Sequence, residues 1–120
     1  MNDFLQQAVA AIDEKHGNDI KVIDISKLSV LADYFIIAHG TNAPQIDAIV
    51  QNIDFRLSKM GIEPKAIEDS RNGGWTLLDY GHTIIHIFGQ DERLFYDLER
   101  LWIEGKPVIF DANKDTIEKK

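Results

Sequence analysis

The sequence contains no cysteine among its 120 residues. This absence excludes disulfides, thiolate metal sites and cysteine nucleophiles, and it is typical of a reducing compartment. The sequence also lacks an apolar run of about 18 residues, the length that a membrane-spanning helix requires. Its first residues, MNDFLQQAVAAIDEKHG, do not show the basic start and apolar block of a secretory signal. These absences predict a cytoplasmic protein without a membrane segment.

Basic residues are few, and they are scattered. Thirteen lysines and arginines stand against twenty acidic residues, which gives a net charge of −7. The only adjacent basic pair is Lys119 and Lys120. Because phosphate backbones repel such a protein, we expect little direct contact with nucleic acid, whereas a basic protein partner would be attracted. The alternative that the charge only keeps the protein soluble stays open.

Catalytic motifs are missing as well. The sequence has no Gly-x-Ser-x-Gly elbow, no phosphate loop ending in Lys-Ser or Lys-Thr, and no dinucleotide fingerprint. The turn His39-Gly40-Thr41 resembles the helix start of nucleotidyltransferases, which need paired carboxylates on the next strand. Glu68 and Asp69 are adjacent, so they point to opposite faces of a strand and chelate poorly. We therefore predict no enzymatic activity, with a small nucleotide-binding or nucleotidyltransferase-like enzyme as the alternative.

The histidines do not form a recognisable metal site. His82 and His86 are four residues apart, which on an extended chain is too far to share a common ion. His86 lies inside the apolar run TIIHIF, a position that favours a buried, hydrogen-bonded histidine over a ligand. We predict neither a metal nor a cofactor.

The periodicity of what is present predicts alternating helices and strands. Two amphipathic helices are expected, over 3–15 and from the cap Asn42 to Gly61, and a short helix begins at Asp91. The predicted strands are residues 20–25, Tyr34 to Ile37, PKAIED, GWTLLDY, TIIHIF and a last one in PVIF, with a tight hairpin at Gly81. This order indicates the α/β class with a mixed β-sheet and packed helices. We expect one domain over 1–105 and an extension over 106–120 that ends in a frayed tail.

One strand combines large aromatic and acidic side chains. Alternation along 74–80 places Trp75, Leu77 and Asp79 on one face and Tyr80 on the other, with Thr76 and Leu78. One face should meet the core while the other exposes a large ring beside a carboxylate. The following segment, FYDLERLW, repeats the combination with Glu99 and Trp102. Such side chains are typical of protein interfaces, but both tryptophans could instead fill the core.

Three separated motifs carry a resemblance to a known family. GWTLLDYGHTIIHIF followed by FYDLERLW resembles the ribosomal silencing factor family, also called Iojap-like proteins. ADYFIIAHGTN with the helix QIDAIVQNI, and DIKVIDIS before it, match the earlier part of the same pattern. The resemblance covers about residues 3 to 103. The chain departs from the family pattern at Pro44, Asp69 and His82.

The resemblance implies both a fold and a function. The implied fold has nucleotidyltransferase-like topology without catalytic motifs. The implied function is repression of translation: the factor binds ribosomal protein fourteen of the large ribosomal subunit and so blocks association with the small subunit. Members are typically homodimers when not bound. The positions that the resemblance assigns to partner contact are Trp75, Leu77, Asp79, Tyr80, Glu99 and Trp102.

Overall fold

A computed structural model describes residues 2–70, 74–96, 106–110 and 117–119. Helices and strands alternate as the sequence predicts. The helices are α1 (Asn2–Glu14), α2 (Ala43–Ser58) and α3 (Gln90–Tyr96). The strands are β1 (Asn18–Asp24), β2 (Tyr34–Gly40), β3 (Ala66–Ser70), β4 (Trp75–Asp79), β5 (Thr83–Gly89), β6 (Lys106–Phe110) and β7 (Ile117–Lys119). None of the described helices is long and apolar enough to cross a membrane.

All seven strands belong to one mixed sheet. Its order is β3-β4-β5-β2-β1-β6-β7. At the centre, β2 and β5 run parallel, whereas β1 is antiparallel to β2, and β3, β4 and β5 form antiparallel neighbours. A parallel pair cannot be joined by a hairpin, so the chain between β2 and β5 must cross the sheet. Helix α2 makes that crossing, and the mixed α/β fold predicted from the sequence is confirmed.

Helix α2 begins as its capping residues predict. The side chain of Asn42 accepts a hydrogen bond from the backbone N–H of Gln45 at 2.8 Å, and Pro44 occupies the first turn, where its missing N–H is harmless. In a capping box, the side chain of Gln45 would accept from the backbone N–H of Asn42. It accepts instead from the N–H of Thr41, at 2.7 Å, one residue earlier in the chain. The helix ends before Gly61, whose φ is +78°.

The first face of the sheet carries the main core. Helices α1 and α2 pack on it with an aliphatic stripe that includes Leu5, Ile12, Ile49 and Ile53, all fully buried. Side chains of the central strands, Ile36 and Ile85 among them, meet this stripe from the sheet. Polar side chains also join the two helices, because Arg56 donates to Gln7 and pairs with Glu14. Burial of these aliphatic groups supplies most of the driving force for the fold.

A second, smaller core lies on the opposite face. It contains Ile23, Ile37 and Phe88, together with Ile25 and Ala32 from the connector between β1 and β2. Phe35, Trp75 and Ile84 are partly buried against it. The sheet is therefore apolar on both faces at its centre, as the run Tyr34-Phe35-Ile36-Ile37 predicts.

The sheet extends beyond the sequence-based expectation in several places, among them β2, which continues past the predicted Ile37 to Gly40. Strand β1 starts at Asn18, before the predicted residue 20, because a bulge between Asn18 and Lys21 accommodates Asp19 with φ of +49°. Residues 117–119 form β7, paired with β6 through Phe110 and Ile117, where a frayed tail was expected. β6 itself pairs with β1, so the sheet continues into the predicted extension.

The cap of α2 supports a stability prediction. Replacing Asn42 with alanine removes the acceptor of the Gln45 N–H and should lower the free energy of unfolding by about 1 kcal/mol. Asn42→Ser keeps a capping oxygen and should lie within a few tenths of a kcal/mol of the natural protein. Urea unfolding followed by circular dichroism measures both. Equal stability of the alanine and serine variants would contradict the capping role.

Candidate partner-binding surface

The alternation predicted along β4 is confirmed. Thr76, Leu78 and Tyr80 are buried on the face that α1 and α2 cover, with at most 6% of each residue exposed. Trp75, Leu77 and Asp79 lie on the opposite face, and all three are half-buried. The alternative that both tryptophans fill the core does not hold for Trp75, because part of it remains exposed.

Trp75 is held by side chains of the neighbouring strand β5. Its indole Nε1–H donates to Nδ1 of His86 at 3.1 Å. Its ring stacks on Phe88, the residue directly opposite on β5, with centroids 5.2 Å apart and planes 28° apart. A half-buried aromatic with its polar atom satisfied combines large contact area with few rotatable bonds, which is the usual character of an interface anchor.

His86 is buried and hydrogen-bonded, as the sequence predicts, and aromatic rings surround it. Phe35 meets its ring edge-on at 4.6 Å, and Phe88 lies parallel to it at 6.1 Å. Because Nδ1 accepts the indole hydrogen bond, the neutral ring carries its proton on Nε2. Among the described residues, none makes a hydrogen bond to this buried Nε2. Burial lowers the pKa of His86 to about 4, so the ring is neutral at physiological pH.

Leu77 and Asp79 continue the surface along β4. Leu77 lies between His86 on β5 and Glu68 on the edge strand β3. Asp79 accepts a hydrogen bond from the backbone N–H of Gly81 at 2.8 Å, so one of its carboxylate oxygens stabilises the hairpin turn. This turn has the predicted glycine, with φ of +87°. We call Trp75, Leu77, Asp79 and Glu68 the β4 strip: apolar in the middle, with two carboxylates at its border.

Tyr80 does not belong to the β4 strip. It is 6% exposed and packs edge-on against Phe4 of α1, with ring centroids 5.2 Å apart. Burial raises the pKa of its hydroxyl. The partner contact predicted for Tyr80 is therefore corrected to a core position, because β4 alternates and Tyr80 shares the face of Leu78. Glu99 and Trp102, the other two predicted contacts, lie outside the described residues.

The nucleotide-binding alternative would place its ligand at the start of α2, where two backbone N–H groups are already hydrogen-bonded within the chain. The N–H of Thr41 donates to the side chain of Gln45, and the N–H of Gln45 donates to the side chain of Asn42. Pro44 has no backbone N–H. The charged side chains in the lining of the adjoining pocket are Asp47 and Asp69, which would repel phosphate. Within the residues that the structure describes, no three histidine, aspartate or glutamate side chains are grouped to hold a metal ion.

The comparisons with known proteins agree on one family. The sequence model described as "Ribosomal silencing factor during starvation" matches residues 1–120. The chain belongs to the ribosomal silencing factor family.

Individual members of the family are similar over most of their length. A ribosomal silencing factor of Bacillus subtilis is 40% identical over 99 residues, which are 82% of this chain and 84% of that protein. One from Halalkalibacterium halodurans is 36% identical over 110 residues, 92% and 94% of the two chains. A crystal structure of a Chromobacterium violaceum protein superposes with a TM-score of 0.79 at 30% identity and covers 83% of each chain. The family resemblance and the fold class predicted from the sequence are thereby confirmed.

The burial of His86 generates a prediction about pH. Its folded pKa is about 4 and its ordinary value is 6.5, so between these values the unfolded chain binds a proton that the folded chain does not. The free energy of unfolding should therefore fall as pH falls from 6.5 to 4, by roughly 1 kcal/mol per pH unit from this residue. Urea unfolding across that range measures it.

The matched control for the pH prediction is His86→Asn, which has no titrating group at this position. His82, whose pKa burial also lowers, and the carboxylates remain in both proteins. The difference between the two pH profiles is therefore due to His86. Parallel profiles would show that His86 titrates alike in the folded and unfolded chains.

Proposed function

We propose that this family member binds the large ribosomal subunit through a basic ribosomal protein, number fourteen of that subunit, and sterically blocks association with the small subunit. The observation that carries the proposal is the β4 strip, a half-buried apolar row with an anchored indole at one end and carboxylates at its border. The family name and the names of the relatives support the connection to ribosomes.

The chemistry of the strip fits a basic protein better than RNA. Trp75 and Leu77 offer apolar area, while Glu68 and Asp79 would attract lysine or arginine side chains at the rim. The net charge of −7 repels phosphate but speeds encounter with a basic partner. Blocking a subunit needs only a stable interface, of about 800 Å² on each partner, and no catalytic group. On this proposal the protein represses translation in the cytoplasm without enzymatic activity.

We further propose that the chain is a homodimer when it is not bound to a ribosome. Two aliphatic residues of the β1–β2 connector support this: Val30 is fully exposed and Leu31 is 83% exposed. Residues 25 to 32 contain Lys27 and no acidic residue, and Asp24 and Asp33 flank them. In a protein of charge −7, two copies repel each other least at such a segment, and exposed aliphatic groups gain from mutual burial.

Binding to the ribosome is tested by sedimentation of purified large subunits with the protein. Trp75→Ala should weaken binding by about 2 kcal/mol, or roughly thirty-fold, as truncation of an interface anchor does. Leu77→Lys should also weaken it, because it places a positive charge against a basic partner. Phe55→Ala is the control: Phe55 is 59% exposed, but it lies on α2, away from the strip.

Thermal unfolding of each variant separates lost binding from lost folding. The proposal also requires that the natural protein reduce the yield of joined ribosomes when it is added to separated subunits. Normal joining at saturating protein would refute the anti-association function. Equal losses in Phe55→Ala and Trp75→Ala would refute the β4 strip as the contact surface.

The dimer is tested by sedimentation equilibrium. Leu31→Lys should shift the population to monomer, because it buries a charge in the proposed contact. Leu94→Lys is the same change at a leucine of α3 that is 77% exposed, and it should leave the dimer intact. A natural protein that is monomeric at tens of micromolar concentration, or a dimer insensitive to Leu31→Lys, would contradict the proposed contact.

A further inference from the structure

The unusual feature of the β4 strip is the imidazole beneath it. His86 is 4% exposed, and its surroundings are the rings of Phe35, Phe88 and Trp75. A polar ring in such a place is unfavourable unless its nitrogens are hydrogen-bonded. Only Nδ1 is satisfied, by the indole of Trp75, and Nε2 lacks a hydrogen-bond partner among the described residues.

An apolar side chain at position 86 would pack in this site without an unsatisfied group. What it could not do is accept a hydrogen bond from Trp75. The indole N–H would then lose its hydrogen bond to Nδ1, and the side-chain torsions of Trp75 would lose one of their constraints. Position 86 thus breaks a local rule of core packing, and its hydrogen bond is to Trp75. Departures of this kind from local rules are expected at functional sites.

We propose that His86 is a positioning residue for partner binding: its Nδ1 holds the indole of Trp75 in the orientation in which that ring meets the ribosomal protein. This inference rests on the proposed function, because it takes Trp75 as the contact. Phe88 supports the same orientation by stacking on the indole. An anchor whose rotamer is already fixed loses less entropy on binding than one that must be ordered.

Two substitutions at position 86 separate positioning from packing. In His86→Asn the side-chain oxygen stands as many bonds from the backbone as Nδ1 does, so the acceptor is retained. His86→Leu has the same branching without an acceptor. Binding to purified large subunits should fall roughly five-fold in His86→Leu, the worth of one hydrogen bond, and should stay within about two-fold in His86→Asn.

A second measurement reports on the indole without any ribosome. In a nitrogen–proton correlation spectrum, the Trp75 indole resonance is the one that Trp75→Phe removes. It should move and exchange faster with water in His86→Leu, and remain near its natural position in His86→Asn. His86→Phe, which keeps a ring but no acceptor, should behave like His86→Leu and serves in its place if the leucine variant does not fold.

The outcomes test the positioning role of His86 and the proposed function separately. An indole resonance that does not change in His86→Leu or His86→Phe overturns the positioning role, whatever happens to binding. A changed resonance with unchanged affinity overturns it too, because the orientation would then not matter to the partner. If the natural protein does not bind large subunits at all, the proposed function fails, and the role of His86 in docking fails with it.

Discussion

The parallel pairing of β2 with β5 is the constraint from which the rest of this structure follows. Two parallel neighbours require a crossover, and α2 provides it by passing over one face of the sheet. After the crossover, β3 and β4 are antiparallel additions at the far side of β5. Helices α1 and α2 both lie on the crossover face, so that face holds the main core. The opposite face of β4 is left to side chains that need not be fully buried.

This arrangement explains why Trp75 is half-buried rather than sealed. On β5, Phe88 lies opposite Trp75 and His86 lies opposite Leu77, and both are buried. They form a solid aromatic base under an indole at the border of the second core. A side chain in such a place can be rigid and still reachable, two properties that a fully buried or a fully exposed tryptophan cannot combine.

Much of the fold was predictable because local signals and tertiary packing agree. Asn42 and Pro44 begin α2, Gly81 makes the hairpin, and alternation along β4 separates Leu77 from Leu78. The hairpin register even brings His86 opposite Leu77, so its proximity to Trp75 follows from a two-residue loop. What the sequence could not show is the choice of hydrogen bonds. That Gln45 reaches Thr41, or that Asp79 serves the Gly81 turn, depends on side-chain geometry at the scale of one ångström.

Helix α3 shows where pattern reasoning fails. Arg93 is 4% exposed while its neighbour Leu94 is 77% exposed, the reverse of what hydropathy predicts. The reason is tertiary: Arg93 donates to the carbonyl of Asn18, contacts Nδ1 of His39 and pairs with Asp19, and so ties α3 to β1 and β2. A guanidinium can be buried when several partners compensate its charge. The partners of Arg93 lie 54 to 75 positions away in the sequence, so a local pattern does not reveal them.

Acidic and apolar side chains at the surface would contribute differently if this protein docks on a particle made largely of RNA. Charge alone would keep a chain of −7 away from phosphate, and at physiological salt that effect is screened within about 8 Å. Steering can therefore favour one basic neighbour over RNA, but it cannot hold the complex together. A slow dissociation of the complex must come from desolvated apolar contact. Differences in affinity among variants of one interface lie mainly in the dissociation rate. In this chain the two tasks fall to different side chains of the β4 strip: the carboxylates of Glu68 and Asp79 at its border, and the apolar groups of Trp75 and Leu77. On the proposed function, a rigid aromatic base beneath β4 would let so small an apolar area act as an anchor.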